Sequence, residues 1–447
     1  MPFTNSYPRV LVVVMGRINA ADTSNNGLLL RNLFGNWPRE KLAQIYSSGD
    51  TGDAGFFGSY YKLGPHDRRL GCLFNRLKKD ALDAEDSKNK GVDSTASNHR
   101  KSVATWVKKW FVDTGLYELV FFPRISSQMR SWINEFRPDV VFAQGYSLAF
   151  TWLPLSISEH FGVPICYYPT DDWPNDIYRF SKNIPRLLSW PARRAVVYSS
   201  RQLVRQSAIR VAFNPAMQAA YSARYQVPFD ILMHGDHATR FAKSPPKRLM
   251  DIRKYWIVST GVFDWHRWPL LRDLDQACDI LASIGHPVRA TIFPVNWPTK
   301  DAVRQAQFRH IEFSPCPNHE EMAAILRGAD LLFLPERFDD TVEDIKLCVS
   351  TKAHLFMFSG KPIVVYSAFE TGIAQYAQQE QWAVLVDQRN PEILSRAIQD
   401  IAENNAIRQT LLANAQRIAE LNHNLSVIQA RFQEMLNKRI GQPAKAL

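Results

Sequence analysis

Residues 350–366 read STKAHLFMFSGKPIVVY. Ser350 and Thr351 are residue types that favour a helix N-cap, and Lys352 falls in the first turn. Leu355, Phe356 and Phe358 supply the apolar body of the helix. Gly360 reads as its stop, and Pro362 forbids continuation. The run then turns β-branched, which predicts a strand. A helix start carries unpaired N–H groups and positive partial charge, so a lysine there is unfavourable for the dipole alone. An anion bound at the same place reverses that balance. The competing reading is an ordinary capped helix with a solvated lysine.

The same alternation of strand and helix extends in both directions. RVLVVVM (9–15) predicts a buried first strand ending at Gly16, followed by a polar loop and the helical LLLRNLFGNW (28–37). AQIYSS (43–48), PDVVFAQG (138–145) and VPICYYPTDDW (163–173) predict further strands with loops behind them. A composition shift at 240–255, RFAKSPPKRLMDIRKY, reads as a linker. A second alternating set follows: WIVSTG (256–261), PLLRDLDQACDILASIG (269–285), VRATIFP (288–294), DLLFLP (330–335), the opening helix, and WAVLVD (382–387). Two helices, about 391–415 and 424–439, close the chain. Apolar strands alternating with helices imply parallel sheets covered on both faces. The chain is therefore expected to be α/β, with two doubly wound domains facing across a cleft. The expected boundaries are 1–240, a linker at 241–254, a second domain at 255–423, and a final helix and tail at 424–447. A charge-rich insert at about 62–115, with DAEDSKNKGVDSTASN (83–98) at its centre, reads as a mobile surface loop.

Length and charge narrow the function. The 447 residues exceed what one core usually organises, which favours two domains. The net charge of +11 favours anionic partners: nucleic acid, a membrane face or phosphorylated small molecules. Five scattered cysteines without a CxxC pair argue against a disulfide or zinc framework and for a cytoplasmic protein. No run reaches 18 apolar residues, and the N-terminal apolar run is too short for a signal sequence, so the chain is expected to be soluble or peripheral.

At this point three stretches carry a resemblance. Residues 330–366 resemble the donor-site segment of GT-B glycosyltransferases, especially the retaining family 4 type. That segment runs strand–Pro, acidic loop, Ser-Lys, helix, Gly-Lys-Pro, strand. IVSTGVFDWHRWPLLRDL (257–274) is similar to the loop after the first strand of that family's C-terminal domain. There a glycine opens the loop and a basic residue meets the donor pyrophosphate; Gly261 and Arg267 match those positions. SPCPNHEEMAAILRGADLLFLP (314–335) resembles the stretch just upstream of the donor motif. The resemblance covers about 255–415 well, and the N-terminal half mainly through its first strand and the SNNG loop.

The resemblance implies transfer of a sugar from a nucleotide-diphosphate sugar to a hydroxyl acceptor, with retention and without a fixed metal or other cofactor. It implies donor contacts from Gly261, Arg267, Ser350, Thr351 and Lys352. Asn26 and Gly27 would lie near the acceptor or the transferred sugar. The chain departs from the pattern at three places. Leu355 stands where the family has a ribose-binding glutamate, so Glu336, Glu343 or Asp344 is the candidate substitute. Val262 replaces the usual arginine of the first loop, and Gln144 replaces a histidine of the N-terminal domain.

The residues support the same chemistry independently. Breaking an anomeric C–O bond leaves a diphosphate, which needs positive charge and N–H donors; Lys352 and Arg267 are the candidates. Asp171 and Asp172, behind a predicted strand, are candidates to orient or deprotonate the acceptor hydroxyl. The only DxD, Asp273-Leu-Asp275, sits in a helical repeat of leucines and reads as a solvated face rather than a metal site. His234, His237 and His266 show no metal spacing. From 177 to 229 there are nine basic and no acidic residues, and RKSVATWVKKWF (100–111) adds basic charge beside tryptophans. That mixture suits an anionic membrane surface and a saccharide or lipid-linked acceptor. Competing readings are a solvated basic face, a nucleic-acid-binding protein, a sugar-nucleotide binder without turnover, and a GT-B epimerase. No nucleic-acid recognition module is recognisable.

Overall fold

The computed structural model describes residues 7–20, 25–49, 55–71, 110–176, 186–251, 254–296 and 307–440. The acidic-polar stretch at 83–98 and most of RKSVATWVKKWF lie outside them. The chain forms two compact units. One comprises Met1–Phe213, Tyr221–Ile231 and Arg431–Leu447; the other comprises Asn214–Ala220 and Leu232–Ala430.

The first unit is built on a seven-stranded sheet in the order β3-β2-β1-β4-β5-β6-β7. Its strands are β1 (Val10–Val13), β2 (Leu42–Tyr46), β3 (Ser59–Lys62), β4 (Val140–Ala143), β5 (Ile165–Tyr167), β6 (Ile209–Ala212) and β7 (Asp230–Ile231). All neighbours pair in parallel; Val10 lies opposite Leu42 on one side and Val140 on the other. The unbroken apolar runs follow from this arrangement, since β1 and β4 are buried at every residue. An aromatic cluster sits on one face: Phe34 meets both Phe142 and Phe432 edge-on at 5.5 Å between ring centroids. Phe432 comes from the last helix, Leu425–Arg439, whose final residues belong to this unit.

The second unit has a six-stranded sheet in the order β10-β9-β8-β11-β12-β13. These strands are β8 (Tyr255–Gly261), β9 (Val288–Pro294), β10 (Ile311–Phe313), β11 (Leu331–Pro335), β12 (Ile363–Tyr366) and β13 (Val384–Val386). Every pair is again parallel. Leu270, Leu271, Leu274, Ala277, Cys278 and Leu281 line one face of the helix Trp268–Ser283 and are buried against this sheet. Both sheets are doubly wound, as the alternation predicts.

Two local expectations change. The helix expected over about 391–415 is two helices, Pro391–Glu403 and Asn405–Ile418. Asn404 separates them because its side-chain oxygen accepts hydrogen bonds from the amides of Ala406 and Ile407, at 3.0 and 3.2 Å. Asp273 does not sit on a solvated face. It is 8% exposed, accepts a 2.9 Å bond from Arg389 Nε and takes the Tyr366 hydroxyl at 3.2 Å. Helical periodicity located its neighbours but not the arginine that arrives from beyond β13. Asp275 is occupied too, accepting from the amides of Arg309 and His310.

Candidate functional site

In the second unit the strand order reverses between β8 and β11, and the loops behind those two strands carry the charged residues. Open parallel sheets bind ligands at such switch points, beyond the carboxyl ends of the strands. β8 ends at Gly261, with φ +131°, a backbone angle that disfavours any side chain. The loop then folds on Asp264, whose Oδ1 accepts from the amides of His266 and Arg267 at 3.2 and 3.1 Å. This Asx-type turn sets Arg267 at the N-cap position of the 268–283 helix. Sequence reasoning passed over Asp264. The aspartate three residues ahead of a helix-opening arginine was the available signal.

Arg267 is tied from two sides. Its Nη2 donates to Glu336 at 2.5 Å and its Nη1 to Asp264 at 3.3 Å. Glu336 follows β11 directly and is 4% exposed, so the pair is largely desolvated. Arg267 Nε is buried and has no partner among the described residues. An unspent donor in a buried guanidinium is costly unless something accepts from it. Lys352 opens the helix Lys352–Phe358 and lies across Gly261. Burial pushes its pKa down to about 8, Glu336 opposes that shift, and the Arg267 charge adds to it. An anion arriving here would hold the lysine protonated.

The other donor-side candidates are arranged less tightly. Thr351 takes the N-cap position in helical backbone geometry, and its hydroxyl caps nothing. The Ser350 carbonyl accepts from the Ala353 amide at 3.0 Å. Asp344 reaches Arg337 at 3.8 Å, and Glu343 pairs with Lys346 at 3.4 Å on the outside of a four-residue helix. Glu336 is thus the acidic candidate that joins Arg267 and Lys352. His266 is held by Asp339 at 2.6 Å and by the Thr341 hydroxyl at 3.2 Å. His234 is fully desolvated beside His354 and His423, with ring centroids at 5.0 and 5.9 Å along the row. Burial drives the pKa of all three down, to about 4 for His234 and His423. No group of His, Cys, Asp or Glu among the described residues is placed to hold a metal ion.

In the first unit the strand order reverses between β1 and β4. Behind β1 the helix Asn25–Leu33 begins, and Asn26 Oδ1 is buried with no hydrogen-bond partner among the described residues. Gly27 is buried beside it. Behind β4, Gln144 is fully buried and both its amide atoms lack partners among the described residues. Gly145 has φ +94°, and a Cβ there would stand 2.4 Å from the Trp173 ring. Behind β5, Asp171 and Asp172 differ. Asp172 takes both guanidinium nitrogens of Arg224, at 2.5 and 2.8 Å, and the Tyr221 hydroxyl at 3.0 Å. Asp171 Oδ1 accepts from the Trp173 amide at 3.3 Å, and its carboxylate faces the buried Tyr146 hydroxyl, whose pKa it helps to raise.

No protein-family model and no curated protein matches the chain. Solved structures do match. The Anabaena protein HepE, in complex with UDP and glucose, superposes with a TM-score of 0.57 at 13% identity, over 96% of this chain and 99% of that one. Sucrose-phosphate synthase from Thermosynechococcus elongatus gives 0.58 at 13% identity, over 96% and 98%. WaaG, a glycosyltransferase involved in lipopolysaccharide biosynthesis, gives 0.55 at 12% identity, over 97% and 100%. The fold is GT-B. Each GT-B unit of this chain carries its candidate residues at the carboxyl ends of its strands, beside the point where strand order reverses. At such low identity the likeness concerns the fold, and the chemistry rests on the residues themselves.

Proposed function

We propose that the protein is a glycosyltransferase that moves a sugar from a nucleotide-diphosphate sugar to a hydroxyl acceptor. The observation that carries this is Lys352 lying over Gly261 beside the half-spent guanidinium of Arg267. The lysine and the free Arg267 N–H suit the diphosphate that departs when the anomeric C–O bond breaks. The electron pair of that bond goes to the phosphate oxygen, the acceptor oxygen takes its place, and the hydroxyl proton is released. Gly261 offers backbone approach, and the Ser350–Thr351 turn offers hydroxyls and N–H groups to the same phosphates. Glu336 orients Arg267; with Leu355 apolar, it is also the carboxylate left for the nucleotide ribose. Asn26 and Gln144, with Gly27 next to Asn26, suit a neutral, hydroxyl-rich partner, because the side-chain amide groups of Asn26 and Gln144 have buried polar atoms that need hydrogen bonds and carry no charge. Asp171 is the carboxylate for the acceptor hydroxyl, since the charge of Asp172 is matched by the Arg224 guanidinium whereas Asp171 faces the neutral Tyr146 hydroxyl.

Metal independence and retention of configuration, of the family 4 kind, belong to the same reading. So does a role in polysaccharide or glycolipid assembly at the cytoplasmic face, which the basic charge supports. The UDP complexes of HepE make UDP and UDP-sugars the first ligands to try. A thermal-shift screen with UDP, GDP, ADP, TDP and their sugars tests the site. Stabilisation by one nucleotide series that disappears in Lys352→Ala supports it, and no response to any of them rejects it. A second reading, a sugar-nucleotide binder without turnover, is favoured by Leu355, Val262 and Gln144; donor hydrolysis and transfer assays separate the two.

A further inference from the structure

The helix Arg186–Gln206 in the first unit contains no acidic residue over its 21 positions. Its inner face is ordinary core: Ala192, Val196, Leu203 and Val204 are buried, and Ser199 meets Thr151 by a 2.8 Å hydroxyl bond. The outer face is unusual. Leu187, Trp190, Arg194, Tyr198, Arg201 and Arg205 fall three or four residues apart, so they form one stripe. All six are exposed, and Leu187, Trp190 and Tyr198 are 81%, 54% and 58% exposed. A leucine and a tryptophan left that open in a folded unit ask for a partner. The Arg194 guanidinium lies 5.2 Å over the Trp190 ring. No described carboxylate pairs with Arg194, Arg201 or Arg205.

We propose that this stripe docks the protein on an anionic phospholipid bilayer. Leu187 and Trp190 would enter the interface, where amphipathic aromatic rings are favoured. Arg194, Arg201 and Arg205 would lie along the headgroup phosphates, their stems over apolar surface and their guanidinium groups outward. About 1.5 Å of rise per residue spreads Arg194 to Arg205 over about 16 Å, which suits several separate headgroups rather than one small anion. The Trp and Leu at one end distinguish this face from a purely basic strip of the kind that tracks nucleic-acid phosphates. The surface deepens the proposed function by holding the protein at the membrane that would carry a lipid-borne acceptor, and it rests on that reading only for its purpose.

Vesicle sedimentation of the full chain, without donor or acceptor, tests it. Phosphatidylcholine vesicles are compared with vesicles containing phosphatidylglycerol, at low and high salt. Binding to the anionic vesicles, weakened by salt, is expected. Arg194→Gln/Arg201→Gln/Arg205→Gln together should weaken it by about tenfold or more. The corresponding triple lysine variant should retain it, and Trp190→Ser should weaken it with an unchanged melting curve. Equal binding to both vesicle types, an unaffected triple glutamine variant, or tighter salt-sensitive binding to single-stranded RNA than to vesicles overturns the proposal. Vesicle binding by a protein that answers no nucleotide leaves the surface standing and removes only the transferase reading.

Discussion

The Lys352 side chain runs directly over Gly261: a Cβ built on the glycine would lie 2.8 Å from both Nζ and Cδ of the lysine. The first residue of one helix and the last residue of β8 are thus packed as a pair. The glycine's φ of +131° makes the same demand from the backbone side. Gly261→Ala should therefore displace Lys352 and strain the loop, at about 1–3 kcal/mol of stability for the backbone angle alone. Calorimetry is expected to show nucleotide affinity reduced tenfold or more. Unchanged affinity would mean that this approach does not shape the site.

Removing the lysine or the arginine should affect different quantities. Lys352→Ala is expected to cut turnover about 10²-fold or more, the loss typical of one preorganised charge donor. Arg267→Ala should do the same and also destabilise the protein, because Glu336 is left buried without its partner, a change of about 3 kcal/mol. Arg267→Ala with Glu336→Gln should recover much of that stability and none of the rate. Parallel denaturant melts and initial rates read both effects.

The lysine also predicts a pH dependence, and the two signs are opposite. Its pKa in the folded protein is near 8, below the ordinary lysine value of 10.5. Charged burial therefore costs stability in full below about pH 8, and the cost is relieved as pH rises towards that ordinary value. Nucleotide affinity should run the other way, full below about pH 8 and falling above it as the lysine loses its proton. Binding in that range should take up a proton, visible as a buffer-dependent heat. Lys352→Met should abolish the buffer dependence.

The neighbouring aspartates should separate by assay. Asp172→Asn removes the charge that Arg224 grips with two nitrogens, so it is expected to lower the unfolding free energy by about 1–3 kcal/mol, as for a charged hydrogen-bonded partner, read in a denaturant melt. Asp171→Asn keeps an oxygen for the Trp173 amide and the Tyr146 hydroxyl and should cost less stability than Asp172→Asn, while lowering kcat with little change in KM. The reverse pattern would transfer the acceptor-side role to Asp172.

Much of the architecture is legible in local pattern. Strands β1, β4, β8, β11 and β12 announce themselves as apolar runs, β-branched in all but the leucine-rich β11, because both faces of a parallel sheet are buried. The helix at Lys352 is legible through its stop, Gly360 at φ +67° ahead of Pro362, since a stop acts over neighbouring residues; the hydroxyl cap expected at its start is not formed. Arg267 and Lys352 are legible as a pair of charges at loop and helix starts. The break at Asn404 was open to the same reasoning, since an Asx cap is a local device.

What the chain alone determined, then, is the two sets of alternating elements and the positions of the basic residues at their ends. The tertiary structure decided the partners. Glu336 meets Arg267 across 69 residues, Arg389 reaches Asp273 across 116, and Arg224 closes on Asp172 across 52. It also decided that Phe432, near the end of the chain, packs on Phe34 in the first unit. Periodicity is a property of neighbours along the backbone, whereas a salt bridge or an aromatic contact depends on which strands lie side by side. That order, reversing once in each sheet, is written in no single segment.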